Sequence, residues 1–82
     1  MKIYGINGRN NITGGQIRRA RLRLGWSQSD LAAKLQLEDV IIEQKAVSRI
    51  ELGERLVTDY ELLALAKVLK VSVMWLLTGE QQ

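Results

Sequence analysis

The chain has 82 residues, enough for one domain, because splitting it would leave two cores each too small to offset the entropy of ordering them. Hydrophobic residues make up 46% and charged residues 26%, the balance of a folded soluble protein and not of a disordered one. Histidine and cysteine are absent, and 12 Lys and Arg against 9 Asp and Glu give a net charge of +3, so imidazole bases, thiol nucleophiles, the usual zinc ligands and disulfides drop out while a polyanionic partner is favoured without being required.

The carboxylates are scattered and no glycine-rich phosphate loop accompanies them, so the sequence points away from an enzyme and calls for no cofactor or metal. The opening residues Met1 to Arg9 lack the apolar stretch of a secretory signal, and no apolar run is long enough to span a bilayer. A cytoplasmic protein with no membrane contact is expected.

No stretch alternates apolar and polar residues long enough to make a strand, and five segments carry helical periodicity. An all-α chain is predicted. Residues 1–12, rich in Gly and Asn, read as a loose or lightly packed arm with no assigned role. The folded domain is expected over 13–79, with 80–82 as a tail.

Thr13 with Gln16 has capping-box spacing and predicts the start of the first helix, whose Ile17, Ala20, Arg21 and Leu24 share a face before Gly25 stops it. Ser27 with Asp30 repeats the pattern for a second helix with Leu31, Ala32 and Leu35 inside. A third helix runs from Gln44 to about Leu52, with Val47 and Ile50 inward, a polar outer face and Gly53 as its stop. Thr58 with Glu61 opens a fourth, striped by Leu62, Leu65, Ala66 and Leu69. Ser72 caps a fifth, where Val73, Leu76 and Leu77 close the core before Gly79.

Three pieces in order carry a resemblance: Ser27-Gln28-Ser29-Asp30-Leu31-Ala32, then Val47-Ser48-Arg49-Ile50-Glu51-Leu52-Gly53-Glu54-Arg55, then Val71 to Gly79 with its Trp75-Leu76-Leu77-Thr78-Gly79 end. Together with Arg21 to Gly25 they resemble the Cro/cI-repressor-like (Xre) helix-turn-helix family over roughly Gly15 to Gly79. The resemblance implies a five-helix, phage-repressor-like domain that binds double-stranded DNA, with the third helix in the major groove and the second across the backbone.

Gln44, Lys45, Ser48 and Arg49 cluster on the outer, N-terminal surface of the third helix, opposite Val47 and Ile50. Their side chains suit base edges: Arg and Lys pair with guanine O6 and N7, Gln with adenine N6 and N7, and Ser with several edges. Taken alone, that surface would read as a solvated helix face, and the surrounding pattern reverses that preference. Ser27 and Gln28 open the second helix, where side-chain groups and free backbone N–H groups clamp a phosphate, a role the resemblance also implies. The competing reading of Gln28 is an ordinary exposed polar residue. Arg55 resembles a phosphate-contacting position, with a solvated surface arginine as the alternative. The resemblance further implies that Arg21 and Glu51 pair and tie the first helix to the third. Arg18, Arg19 and Arg23 read as a solvated, steering face, and Trp75 with Leu69, Val71 and Leu76 as core.

One departure stands out. A helix-turn-helix has a turn of about 3–4 residues, whereas Gln36 to Glu43 separate these two helices, with no glycine and with Leu37, Val40, Ile41 and Ile42 among them. Two outcomes are open: the second helix extends and returns with Ile41 or Ile42 tucked inside, or docking changes. Glu43 is a poor N-cap whose charge would lie near phosphates. The expectation is a transcriptional regulator, a repressor acting as a homodimer on a palindromic operator, too short for a separate effector domain. The alternative is an antitoxin or adaptor of the same fold that holds a protein partner.

Overall fold

Local sequence signals and the structure agree on the element order: α1 (Gly14–Arg23), α2 (Gln28–Gln36), α3 (Gln44–Glu51), α4 (Asp59–Leu69) and α5 (Val73–Thr78). The structure, a computed structural model, describes residues 8–80; the rest of the expected arm and tail lies outside the described residues. The fold is the expected all-α one.

Capping chemistry starts three of these helices as the spacing predicts. Ser27 Oγ accepts from Asp30 N at 3.0 Å while Asp30 Oδ2 accepts from Ser27 N at 2.8 Å, which also holds the Asp30 carboxyl below its usual range. Thr58 and Glu61 form the same reciprocal pair at 3.4 and 3.0 Å, and Ser72 Oγ accepts from Trp75 N at 2.9 Å. Caps of this kind contribute about 1 kcal/mol each. After α1 the chain turns through Gly25 at φ +74°, a conformation that an L side chain resists.

The first cap differs from its prediction. Thr13 sits in the helical region at φ −97° and ψ −12°, so its side chain makes no cap bond, and its buried hydroxyl has no partner. Asn11 does the work: its Oδ1 accepts from Gly14 N at 2.8 Å. Gln16, freed from capping, donates Nε2 to the Trp75 carbonyl at 3.3 Å and ties α1 to α5.

Packing follows the apolar stripes. Ile17, Leu31, Leu35 and Leu76 are fully buried with Val47, Ile50 and Leu65 beside them, each contributing about 1.5–3 kcal/mol of transfer free energy. α2 packs on α3 and α4, while α1 bears on α3, α4 and α5. Leu69 joins the core, and Trp75 and Val71 pack half-buried against it. Arg23 lies over the Trp75 ring at 5.1 Å, so one face of this core tryptophan carries a cation.

The lengthened turn keeps the helix pair together. α2 ends at Gln36, and Asp39 takes the left-handed conformation at φ +60° that a glycine would usually supply. Val40 N then satisfies the Leu35 carbonyl at 3.1 Å. Ile42 re-enters the core at 3% exposure, while Ile41 at 67% and Leu37 at 79% face outward. Among the described residues no helix is long and apolar enough to cross a membrane.

Candidate nucleic-acid interface

α3 is amphipathic by composition: Val47 and Ile50 are 1% exposed on its inner side, and Gln44, Lys45 and Arg49 are exposed on the outer one, with Ser48 half-buried. Its N-cap, Glu43, is exposed and makes no side-chain cap bond. The four predicted base-reading residues therefore share one accessible surface, as side-chain spacing on a helix requires.

Beneath that surface lies the Arg21–Glu51 pair. Arg21 Nε donates to Glu51 Oε2 at 2.7 Å and its NH2 donates to Oε1 at 2.9 Å, a bidentate fork. Both residues are buried, at 7% and 8% exposure. Arg21 NH1 also donates to the Trp26 carbonyl at 2.8 Å, so the guanidinium joins α1, the α1–α2 corner and the end of α3. Hydrogen bonding to Glu51 raises the Arg21 pKa further above its ordinary value, keeping it charged.

A relay the sequence did not disclose runs from this pair to the surface. Gln28 Nε2 donates to Glu51 Oε1 at 3.1 Å, and Gln44 Nε2 donates to Gln28 Oε1 at 2.7 Å. A carboxylate only accepts, so Glu51 fixes which end of the Gln28 amide points inward. Gln28 in turn fixes Gln44. The first residues of α2 and α3 thus meet across the lengthened turn. Among the described residues, one N–H of the Gln44 amide and its Oε1 have no partner.

Arg55 also differs from a free surface arginine. Its guanidinium grips Glu61 with NH1 to Oε1 and NH2 to Oε2, both at 3.0 Å, and NH1 donates to the Leu56 carbonyl. That bond holds the Glu61 carboxyl below its usual range, aided by the Thr58 backbone N–H and opposed by burial. Glu61 was legible only as a capping residue; its second role needs the chain to bring Arg55 back to it. Arg49 and Glu54 approach to 3.9 Å, both well exposed, a contact of little energetic weight. Ser27 stays exposed beside Gln28, its hydroxyl engaged by the cap.

The N-terminal arm holds a second surprise. Arg9, Asn10 and Asn11, read from composition as part of a loose or lightly packed arm, are bonded to the far end of α3 and the loop after it. Asn11 could have been suspected as a cap from its residue type; nothing local announces its contacts across 39 and 44 residues.

Two short helices joined at α2–α3, braced by α1 and presenting a polar outer face on the second, define a helix-turn-helix domain. The helix-turn-helix family matches residues 17–76, and the chain belongs to this family, the Cro/cI-repressor-like (Xre) type. Its fold is similar to that of the P22 c2 repressor in complex with a synthetic operator, with TM-score 0.73, 30% identity, and coverage of 85% of this chain and 98% of that one. It is also similar to SinR, the master regulator for biofilm formation, in complex with DNA, with TM-score 0.69, 30% identity and coverage of 79% and 97%. The restriction-modification controller protein C.AhdI from Aeromonas hydrophila gives TM-score 0.68, 28% identity and coverage of 78% and 86%. No curated protein sequence matches the chain.

Proposed function

We propose that this protein is a sequence-specific transcription regulator, a repressor, that inserts α3 into the major groove as a homodimer on a palindromic operator. The observation that carries the reading is the preset Gln44 amide. With one N–H and one carbonyl oxygen unengaged, Gln44 offers the donor and acceptor that match adenine N7 and N6. Lys45 and Arg49 supply guanine-directed donors, and Ser48 a hydroxyl. Ser27, Gln28 and Arg55 contact phosphates, Gln28 by its remaining N–H and Arg55 from the edge of its Glu61 pair. A dimer would set its two α3 helices one helical turn of DNA apart, about 34–36 Å. Its site of action is the cytoplasm, and it has no enzymatic role.

The test is binding-site selection followed by fluorescence anisotropy. Affinity for random duplex should fall steeply with salt as counterions are released, and Gln44→Ala should lose roughly 1–3 kcal/mol of discrimination at one A·T pair. A salt-independent affinity, or a Gln44→Ala protein that selects the same site with the same stringency, refutes the reading. A second reading, an antitoxin or adaptor that holds another protein, draws on Leu37 and Ile41, which expose apolar surface at the lengthened turn. Stable co-purification of a second chain that is lost in Leu37→Ser/Ile41→Ser would favour it.

A further inference from the structure

The end of α3 has a supply problem. A helix leaves its last carbonyls without intrahelical partners, and the loop that follows, Gly53 to Arg55, has no apolar anchor of its own, since Glu54 is exposed and Arg55 half-buried. Leu52 N, Glu54 N and Gly53 N return to the Ser48, Arg49 and Ile50 carbonyls. Residues 9–11 take the carbonyl oxygens of Glu51, Gly53, Glu54 and Arg55 and share that of Ile50. Arg9 NH2 donates to the Glu51 carbonyl at 3.3 Å. Asn10 donates its backbone N to the Gly53 carbonyl at 2.7 Å and its Nδ2 to the Glu54 carbonyl at 3.1 Å.

Asn11 does most. Its Nδ2 donates to the Ile50 carbonyl at 3.0 Å and to the Arg55 carbonyl at 2.8 Å, while its Oδ1 accepts from Gly14 N at 2.8 Å. Both amide hydrogens and the oxygen are engaged, so the side chain has one orientation. The approach is close on every side: a Cβ at Gly14 would collide with the Ile50 carbonyl oxygen, and one at Gly53 would lie 2.6 Å from the Arg9 guanidinium carbon.

We propose that Asn10 and Asn11 are positioning residues of the DNA interface: they strap the C-terminal end of α3 and the Gly53–Arg55 loop to the N-terminus of α1, and so aim Arg49 and Arg55. The proposal rests on the reading that α3 faces DNA. The loop they hold carries Arg55 directly, and its Glu54 N donates to the Arg49 carbonyl at 2.8 Å. Gln44, at the opposite end of α3, is set by Gln28 and Glu51 instead. The two ends of the reading helix are thus aimed by different parts of the chain.

Asn11→Asp tests this, because a carboxylate keeps the acceptor for Gly14 N but turns an oxygen toward the two carbonyls that Nδ2 served. Asn10→Ala removes the Glu54 bond alone, at a half-buried residue. Binding-site selection with the full chain, at a temperature where circular dichroism shows each variant folded, is compared with Gln44→Ala and Arg49→Ala. Asn11→Asp should lower affinity for the selected site about tenfold and Asn10→Ala about threefold, the loss of one or two net hydrogen bonds. Base preference should relax at the positions that Arg49→Ala relaxes and stay intact where Gln44→Ala relaxes it. Amide exchange of Gly53 to Arg55 should quicken in Asn10→Ala without DNA, and this arm stands even if Asn11→Asp does not fold. Unchanged exchange, or base preference left intact at the positions that Arg49→Ala relaxes, overturns the strap. If Gln44→Ala and Arg49→Ala leave the selected site unaltered while exchange still quickens, the reading of α3 has failed and the hold of residues 9–11 on the loop has not.

Discussion

Removing Glu51 should cost this protein a large share of its stability before any DNA is added. A domain of this length is worth roughly 0.05–0.15 kcal/mol per residue, about 4–12 kcal/mol in all. Glu51→Ala leaves the Arg21 Nε and NH2 without partners at 7% exposure, with only the Trp26 carbonyl still bound. Breaking a buried pair by deleting one partner costs about 3–5 kcal/mol, and the low end applies because Trp26 still takes one donor. Arg21→Ala should cost less, about 2 kcal/mol, since Gln28 continues to donate to the stranded carboxylate. The double variant strands neither charge, so it should lose about 3 kcal/mol where the singles sum to about 5, a coupling near 2 kcal/mol. Urea titrations of the three variants and the parent protein, followed by circular dichroism, measure all four corners. Single losses that add to the double within about 0.5 kcal/mol would refute the argument that this pair ties α1 to α3.

Other consequences can be checked with ordinary melts. Gly53→Ala should destabilise more than Gly25→Ala: both residues have positive φ, +82° and +74°, but only at Gly53 would the new Cβ meet a neighbour, Arg9; the shared backbone cost is about 1–2 kcal/mol, and equal losses would disprove the Arg9 contact. Glu61 has a depressed folded pKa, mainly through Arg55, so its contribution is present above its unfolded value of about 4.3 and is lost as pH falls through the folded one. The melting temperature should therefore drop below about pH 4, less steeply in Glu61→Gln, and parallel pH profiles for the two proteins would contradict this. Leu37→Ser should leave stability within about 0.5 kcal/mol, because the side chain is 79% exposed. Gln28→Ala should weaken binding to every duplex and add a further loss at the base pair that Gln44→Ala relaxes, because Gln28 holds the Gln44 amide; an equal loss on all duplexes would refute the relay.

What the sequence disclosed and what it hid divide along range of interaction. Ser27 with Asp30 and Thr58 with Glu61 announce helix starts because both partners lie within one turn, and the structure closes both boxes. Val47 and Ile50 announce a buried face because spacing alone decides which side chains share it. Thr13 with Gln16 carried the same local signal, yet the box did not form, because Thr13 itself takes helical φ and ψ and the Gln16 amide turns to the Trp75 carbonyl, while Asn11 accepts from Gly14 N. Local spacing states which bonds are available. Tertiary contacts decide which are made. The Gln28–Gln44 bond, the Arg55–Glu61 fork and the strap of residues 9–11 all lie on the second side of that division, since each depends on where a turn returns the chain.

The lengthened turn shows how the two sides meet. Read as spacing alone, Gln36 to Glu43 is too long for a helix-turn-helix, and the charge and missing glycine argue against a tight reversal. The chain solves this with residues that propensity would not have chosen. Asp39 takes the left-handed conformation, tolerated more readily by Asp than by most side chains, and Val40 N closes the end of α2 on Leu35. Ile42 anchors the return: it is buried at 3% exposure, and two residues further on the Gln44 amide lies 2.7 Å from that of Gln28. The lengthened turn thus still brings the first residue of α3 against the first residue of α2, with its last apolar side chain returned to the core.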